Sequence, residues 1–258
     1  MVELDTEVRI ALSKYLLRLG DDRLILGHRL SEWCGHGPIV EEDIALANIA
    51  LDCLGHAVNY LTLAGELEGK GRSADDLAYW RDEREFRNCE LVELPRGDFG
   101  FTIARQFIFD LFSVSFLEEL KSSAYQPLAG AAHKALGEVR YHARHSTQWI
   151  LRLGDGTEES HARVQTALDD LWTYTGELFY MDELDTLLIS RGVVPDLKPI
   201  KQKWLAAVQE VIGNATLALP DVTQFMASGC RAGRHSEALG PLLAEMQILP
   251  RSHPGASW

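Results

Sequence analysis

The chain has 258 residues, of which 46% are hydrophobic and 24% are charged. That balance is too apolar for a disordered chain and too charged for a membrane domain. Its 38 acidic and 25 basic side chains give a formal net charge of −13, which argues against nucleic acid and membrane surfaces as partners.

Helical periodicity dominates the sequence from its first residues. Gly20 predicts the C-cap of a first helix, and Asp21 or Asp22 then predicts the N-cap of a second. The glycines and proline of 35–38 end that second helix. The predicted helices are, in chain order, 4–19, 22–34, 41–68, 101–123, 128–153, 158–174, 181–191, 199–217 and 242–247.

Two segments carry open alternatives. The charged stretch 69–100 is predicted to be loop-like, and its string WRDEREFRN is interpreted either as a solvated charge cluster or as a contact patch. Around the last predicted helix, the stripe of Leu239, Leu242, Leu243 and Met246 is interpreted as core, with a docking face as the alternative. The terminal Trp258 is predicted to pack on this chain or on a partner.

Cysteine usage and the N-terminus bear on the compartment. The four cysteines form no CxxC pair, so we predict reduced thiols. The N-terminal residues lack the pattern of a signal peptide, and no apolar run reaches the roughly 18–20 uncharged residues needed to span a bilayer. We therefore expect a cytoplasmic protein without a membrane partner.

The fold class follows from the length and order of the helices. Stretches typical of strands are missing, so the prediction is an all-α protein. Two hairpins of long apolar helices predict a ferritin-like four-helix bundle with additional peripheral helices. We expect a single domain over 1–258, with the core bundle at about 22–153 and peripheral helices and a C-terminal tail at 154–258.

This architecture raises the question of a di-iron site. Di-iron bundles take a Glu-x-x-His pair from each of two helices, because that spacing turns both side chains toward one metal. Here His56 and His142 stand on long helices, but Cys53 and Val139 occupy the positions three residues before them. Without those carboxylates, the two imidazoles offer too little hard oxygen donation for a stable iron pair.

A second set of ligands is compatible with helical geometry. Each histidine has an acid four residues earlier, Asp52 before His56 and Glu138 before His142, and that spacing also shares one face. The remaining carboxylates would come from other helices, at Glu32, Asp110, Glu118 and Glu119. We favour the interpretation that a hydrogen-bonded polar core remains where a metal once sat, and we expect no metal in this chain. That core would consist of Asp52, His56, Asp110, Glu138 and His142.

Several separated strings resemble one known family. These strings are LILGHRLSEWCGHGPIVEEDIALANIALDCLGHA, WRDEREFRN, EVRYHARHS, RLGDGTEESHARVQTALDDLW and LLAEMQILPRSHPGASW. Together they resemble the C subunits of the multicomponent phenylacetyl-CoA 1,2-epoxidase, also called phenylacetate-CoA oxygenase. The resemblance runs from about residue 24 to residue 258. It implies a ferritin-like bundle related to the catalytic A subunit of the same complex.

The resemblance also implies a division of labour. In the catalytic subunit, Glu-x-x-His motifs carry the di-iron centre; His56 and His142 match the motif histidines, whereas Glu32 and Glu119 match the single-glutamate helices loosely. The implied cofactors lie elsewhere: di-iron in the A subunit, and flavin, an iron–sulfur cluster and NADPH in the reductase. The implied partners are those subunits, with a homodimer when this chain is isolated.

Three functions compete at this point. The first is a non-catalytic scaffold subunit of the epoxidase in aerobic phenylacetate catabolism. The second is a di-iron oxygenase component that uses the acid and histidine pairs of both helices. The third is a ferritin-like iron-storage or other metal-binding protein. The residues at positions 53 and 139 weigh against the second and third.

Overall fold

A computed structural model of the protein describes residues 4–221 and 223–256. Within those ranges the backbone forms helices and no β-strand, which confirms the all-α prediction. The helices are α1 (Thr6–Ser31), α2 (Val40–Glu68), α3 (Ala74–Tyr79), α4 (Glu90–Glu93), α5 (Phe99–Leu120), α6 (Gln126–Gly154), α7 (Glu158–Trp172), α8 (Glu183–Ser190), α9 (Leu197–Asn214) and α10 (Leu239–Ser252). Trp258, with its predicted packing, lies outside the described residues.

The described chain divides into two compact units. The mid-chain unit, Arg96–Ser228, contains α5 to α9. The terminal unit joins residues 4–95 to residues 229–256 and contains α1 to α4 and α10. Each unit is built on one pair of long helices, α1 with α2 and α5 with α6, which are the two predicted hairpins. The single domain with a core bundle at 22–153 stays a prediction.

In the terminal unit, α1 continues through Gly20, so the predicted helix break there is wrong. A Cβ atom at position 20 would lie 2.6 Å from Leu61 Cδ2 of α2, which is closer than side chains can pack. Gly20 therefore serves the close approach of two helices. Asp21 and Asp22, the predicted N-caps, are buried in mid-helix.

The two helices of this pair run antiparallel. Ser13 Oγ donates a hydrogen bond to Ala64 O at 2.9 Å, and further along α1 the backbone at Gly27 approaches Ala50. Residue numbers thus increase along α1 as the residue numbers of its contacts on α2 decrease. The contact is lined with small residues, which lets the helix axes come close.

In the mid-chain unit, α5 and α6 form the second antiparallel pair, and α7 and α9 pack against α5. Trp204 of α9 donates from Nε1 to Ile108 O at 3.0 Å, and its ring stacks on Trp172 of α7 with centroids 5.4 Å apart. Both indoles are almost fully enclosed. Two aromatic anchors thus hold peripheral helices on α5, with the indole N–H of Trp204 satisfied.

The segment predicted to be loop-like contains two short helices, α3 and α4. α3 begins with a capping box in which Ser73 and Asp76 hydrogen-bond each other's backbone N–H groups. That reciprocal cap satisfies the first orphan donors of a helix too short for a hydrophobic period to predict.

Two helices are long and apolar enough to cross a membrane by length and composition: Val40–Glu68 and Phe99–Leu120. The apolar window of Phe99–Leu120 is 78% buried, as expected for a core helix, whereas that of Val40–Glu68 is only 44% buried. α2 therefore exposes more apolar surface than a core helix needs.

Candidate functional site

The predicted ligands of the terminal unit lie on α2 and at the end of α1. On α2, His56 is buried, Asp52 is half-buried and Cys53 is fully enclosed. Glu32 follows the last residue of α1 and accepts a hydrogen bond from Arg29 at 2.6 Å. The acid and the histidine of α2 are thus one full turn apart, and a thiol fills the position that a Glu-x-x-His pair would use.

Glu32 also lines a cavity of about 660 Å³ beside α3 and α10. Its described wall includes the aromatic rings of Tyr79 and Trp80 together with acidic groups, and no lysine or arginine. Burial lowers the pKa of His28 in this wall below its ordinary value of 6.5, against the opposing charge of Glu32. A cavity of this character does not suit a polyanionic ligand.

The buried candidates of the mid-chain unit lie on α5 and α6. Asp110 is fully enclosed and accepts hydrogen bonds from Gln106 Nε2 at 2.7 Å and from Ser146 Oγ at 2.8 Å. His142 on α6 is also fully enclosed, and Glu138 is half-buried. Asp110 therefore has the hydrogen-bond partners that its apolar sequence context requires.

The other two carboxylates of α5 form surface ion pairs. Glu119 is exposed and accepts from Lys203 Nζ at 2.6 Å. Glu118 accepts from Lys121 and Arg140, and these hydrogen bonds, that of Lys121 first, hold the pKa of Glu118 below 4.5. Both carboxylates thus have surface partners, and the loose match of Glu119 to a ligand helix finds no support here.

The two positions at which the motif would place a glutamate are buried and filled by other side chains. Cys53 and Val139 are both fully enclosed, so neither position has room for a carboxylate without rearrangement of the core. A di-iron centre needs oxygen donors at those positions. The donor set around His56 and His142 does not fit that centre, and we derive no chemical step through iron in this chain.

The structure brings together a group that sequence reasoning missed, Glu93, Cys230 and His235. One ligand atom from each lies within 4.8 Å of the others, and the searched, described residues hold no second group of three with this spacing. Oε2 of Glu93 lies 2.8 Å from His235 Nδ1, and Oε1 lies 3.7 Å from Cys230 Sγ. None of the seven candidates proposed from the sequence belongs to this group.

Hydrogen bonding identifies this group as a buried ion pair. His235 faces an oxygen at each ring nitrogen, Glu93 Oε2 at 2.8 Å and Phe86 O at 3.1 Å, so both nitrogens act as donors in the imidazolium form. Burial opposes that charge, but the hydrogen bond and the charge of Glu93 outweigh it and raise the pKa of His235 above 6.5. Because a metal needs an unprotonated nitrogen, this arrangement favours a structural role.

The carboxylate of the pair is saturated with donors. Burial acts to raise the pKa of Glu93, but hydrogen bonds from His235, Ser236 N and Asn88 outweigh burial and hold the pKa below 4.5. Ser236 N donates to Oε1 at 2.7 Å and Asn88 Nδ2 to Oε2 at 2.8 Å. The group links the segment after residue 229 to the end of α4.

Two further buried ion pairs anchor distant segments to α1, one from the charged stretch 69–100 and one from the segment after residue 229. Arg81 donates through both terminal nitrogens to Asp21, whose Oδ2 also accepts from Arg87 N at 2.8 Å. Arg231 donates to the two oxygens of Asp22 at 2.9 and 2.8 Å. The WRDEREFRN string therefore begins with a buried anchor at Arg81, while residues 82–85 are exposed.

A local signal for the Glu93 group does exist in the sequence. Glu93 stands among Leu91, Val92 and Leu94, an apolar context that forces a buried acid to find a partner. The same reasoning applies to Asp110, which accepts hydrogen bonds from Gln106 and Ser146. What the sequence does not supply is the partner, because His235 is 142 residues away.

Comparison with known proteins assigns the family. Residues 3–258 match the family described as phenylacetic acid catabolic protein. The chain belongs to this family. It is 47% identical over 247 residues to the C subunit of the 1,2-phenylacetyl-CoA epoxidase of Escherichia coli (strain K12), and the match covers 96% of this chain and 99% of that relative. The predicted resemblance and the ferritin-like fold class are thereby confirmed.

Proposed function

We propose that this chain is the non-catalytic structural subunit of a multicomponent phenylacetyl-CoA 1,2-epoxidase, a monooxygenase complex of aerobic phenylacetate catabolism in the cytoplasm. The observation that carries the proposal is the 47% identity to the C subunit of the E. coli epoxidase, which extends over nearly the full length of both chains. A match over nearly the full length of both chains favours assembly into the same kind of complex.

The closed glutamate positions support a non-catalytic role. Catalysis by a di-iron bundle requires a carboxylate three residues before each motif histidine. In this chain those places hold Cys53 and Val139, both enclosed. The neighbouring polar groups are engaged in hydrogen bonds, as Asp110 is with Gln106 and Ser146, and we assign them to the stability of the helices.

The proposed complex divides the chemistry among its subunits. The di-iron centre belongs to the A subunit, and a reductase subunit with flavin and an iron–sulfur cluster takes electrons from NADPH. The overall reaction consumes phenylacetyl-CoA, O2, NADPH and a proton, and yields the ring 1,2-epoxide, water and NADP+. This chain contributes a rigid helical surface that holds the catalytic subunit's helices in position. In isolation it pairs with a second copy of itself.

Reconstitution tests the scaffold role directly. We expect epoxide formation from phenylacetyl-CoA when the A subunit and the reductase, with the other subunits of the complex, are co-expressed with this chain. Without it we expect at least a tenfold loss, because a misplaced ligand shell typically costs about that much or more. The homologous E. coli chain serves as the matched replacement. Undiminished activity in the absence of both this chain and its E. coli relative contradicts the proposal.

Iron analysis separates the proposal from the alternative, a di-iron oxygenase component that uses Asp52, His56, Glu138 and His142. After anaerobic Fe(II) loading and desalting, we expect the wild-type chain and the His56→Gln variant to retain equally little iron. About two irons per wild-type chain, lost in His56→Gln, would establish the alternative. The same substantial amount of iron in both proteins would point to the third function, storage or another metal site.

A further inference from the structure

The outward face of α6 is basic, although the chain as a whole carries a net charge of −13. In the stretch 130–152, which the structure describes completely, four exposed positions carry lysine or arginine and no exposed position carries a carboxylate. Arg140 is paired with Glu118. Lys134, Arg144 and Arg152 form no ion pair with any described residue. A local positive surface on an acidic chain suits an anionic partner.

The three unpaired cations lie on one side of the helix together with two glycines and a tyrosine. These six residues form what we call the basic stripe: Gly130, Lys134, Gly137, Tyr141, Arg144 and Arg152. Successive members are three, four or eight residues apart, close to one or two helical turns. A rotation of about 100° per residue keeps all six within about 40° of one line, and the stripe is about 33 Å long. The cations are therefore aligned, unlike single charges scattered over a surface.

The two glycines leave open space along the stripe. A Cβ atom at Gly130 or at Gly137 would meet nothing within 4 Å, so this chain's own packing does not require glycine at either position. Apart from proline, glycine is the least favourable residue in a helix interior. Close approach of another backbone is one reason for a glycine at such a position, because the distance between two helix axes depends on the side chains at their contact. The open positions thus fit a helical partner.

Aromatic rings hold two of the cations along the helix surface. The guanidinium of Arg144 lies 5.5 Å from the centroid of the Tyr141 ring. That of Arg152 lies 5.5 Å from the centroid of the Trp149 ring. Because the face of an aromatic ring attracts a cation, these contacts restrict two long side chains. The two guanidinium groups are thus partly ordered before a partner binds, which lowers the entropy cost of binding.

We infer that the basic stripe is the surface on which an acidic helix of another subunit docks, a step that rests on the proposed function above. Along the helix axis, Lys134 and Arg144 are about 15 Å apart, and Arg144 and Arg152 are about 12 Å apart. Carboxylates on a helix that runs beside α6 can therefore pair with each cation in turn. Cations at this spacing on a convex helix face do not converge on one phosphate group, so a small polyanion is a poorer fit.

Charge and symmetry argue against a second copy and against a membrane. A two-fold contact through the stripe would place its cations against the same cations of the other copy. A contact between the stripe and an acidic face elsewhere on a second copy would build rings or open chains. Anionic lipids would repel the rest of this acidic chain, and the stripe itself offers a single aromatic ring, Tyr141, for insertion.

The dimensions of the stripe predict which step of assembly it controls. A face of about 33 by 10 Å covers roughly 330 Å², less than half of the 800 Å² or so that each partner contributes to a standard interface. Exposed charges act mainly on the rate at which two proteins associate and on the salt dependence of that rate. We therefore expect the stripe to accelerate and orient docking, while apolar contacts elsewhere supply the remaining affinity.

Association kinetics test the inference, with each of the other purified subunits of the complex immobilised in turn and the full-length chain in solution. The stripe variant replaces the three unpaired cations: Lys134→Glu, Arg144→Glu and Arg152→Glu. The control variant makes the same change in net charge at three exposed lysines outside the stripe: Lys14→Glu, Lys198→Glu and Lys201→Glu. Circular dichroism establishes that both variants fold.

For one of these subunits, we expect the stripe variant to associate about tenfold or more slowly than wild type at low salt, and the difference to shrink as NaCl is added. The control variant should slow association by less than about threefold. Equal effects of the two variants overturn the inference. If the wild-type chain binds none of the subunits, the proposed function fails together with the inference. If the wild-type chain binds and supports epoxidation while the stripe variant associates at the wild-type rate, only the inference fails.

A side chain at the open glycine tests whether the partner is a helix. Gly137→Gln fills the space along the stripe, and we expect the complex to dissociate about tenfold faster. Gly213→Gln on α9 is the matched control, because a Cβ atom there also meets nothing within 4 Å and the position is exposed outside the stripe. Its complex should dissociate at the wild-type rate. Equal dissociation rates for the two variants overturn the close approach of a helix.

Sedimentation tests the two other occupants. We expect the wild-type chain to stay in the supernatant with vesicles of phosphatidylglycerol and phosphatidylcholine at low salt. We also expect the mass of the chain alone to be the same for wild type and the stripe variant at each concentration. Vesicle binding that the stripe variant loses assigns the stripe to a membrane, and self-association that it loses assigns the stripe to a second copy. Either result overturns the inference.

Discussion

The terminal unit and the mid-chain unit enclose acidic side chains with different partners. In the terminal unit, Asp21 and Asp22 of α1 each pair with an arginine from a distant segment. In the mid-chain unit, Asp110 accepts hydrogen bonds from Gln106 on its own helix and from Ser146 on the adjacent helix. The first arrangement fixes loops on a helix, and the second fixes the register of two helices.

Burial of a carboxylate in this protein does not by itself indicate a metal ligand. A buried carboxylate in a ferritin-like helix suggests a metal ligand, yet each of these acids has structural hydrogen bonds in the described chain. The positions that would decide metal binding, Cys53 and Val139, carry no carboxylate and are enclosed. The role of each buried acid in this protein therefore follows from its hydrogen-bond partners. Whether the bundle can hold a di-iron centre is decided by the residues three positions before the motif histidines.

The largest effect is expected from Asp21→Ala in the terminal unit. The substitution leaves the guanidinium of Arg81, which is only 3% exposed, without its carboxylate, and we expect a loss of about 3–5 kcal/mol in the free energy of unfolding. Urea unfolding followed by circular dichroism measures it. Glu119→Ala, which removes an exposed pair with Lys203, is the control and should change stability by no more than about 0.5 kcal/mol. Equal effects of the two substitutions contradict the distinction.

A smaller loss is expected from Asp110→Ala in the mid-chain unit. Gln106 and Ser146 each lose the buried oxygen to which they donate, so we expect a loss of about 2–4 kcal/mol in the free energy of unfolding. Asp110→Asn keeps one acceptor oxygen and should recover part of that loss. The same urea series measures both variants. A loss equal to that of Asp21→Ala would indicate that Asp110 also neutralises a cation.

The smallest effect is expected from pH acting on the Glu93–His235 pair. The pKa of His235 is raised above 6.5, so its contribution to stability is full below pH 6.5 and is lost as pH rises through the folded-state pKa. The pKa of Glu93 is lowered below 4.5, so its contribution is full above pH 4.5 and is lost as pH falls through the folded-state value. The pair therefore stabilises most between pH 4.5 and pH 6.5.

The variant His235→Gln isolates that dependence. We expect the stability difference between wild type and His235→Gln to shrink as pH rises above 6.5, since the wild-type imidazolium loses its proton. Urea unfolding of both proteins across this range measures the difference. A difference that stays constant, or grows with pH, would mean that His235 is neutral in the fold.

Local pattern predicts most of the helices and misses long-range contacts. The apolar stretches of α2, α5 and α6 predict their bounds within a few residues, because period and flanking breakers act locally. Gly20 misleads because the same residue can end a helix or admit a neighbouring one, and only the position of Leu61 decides between these roles. The pair of short helices α3 and α4 falls below the length at which periodicity is detectable.

In the candidate site, too, the sequence predicts the local features and not the long-range contacts. Cys53 and Val139 are recognised from spacing within a single helix, so the argument against a motif-based iron site needs only the sequence. The Glu93–His235 pair and the Asp22–Arg231 pair join residues 142 and 209 positions apart. No local pattern specifies such partners, and a single sequence without its fold cannot supply them.

The terminal unit is built from two separate stretches of the chain, and this has a consequence for biosynthesis. Asp22 and Glu93 leave the ribosome early, whereas Arg231 and His235 are translated only after the whole mid-chain unit. Nascent α1 thus carries uncompensated charge on a surface destined for the interior until Arg231 has been translated. The mid-chain unit, being continuous, can fold during elongation, and closure of the terminal unit is the step most exposed to chaperones and to premature termination.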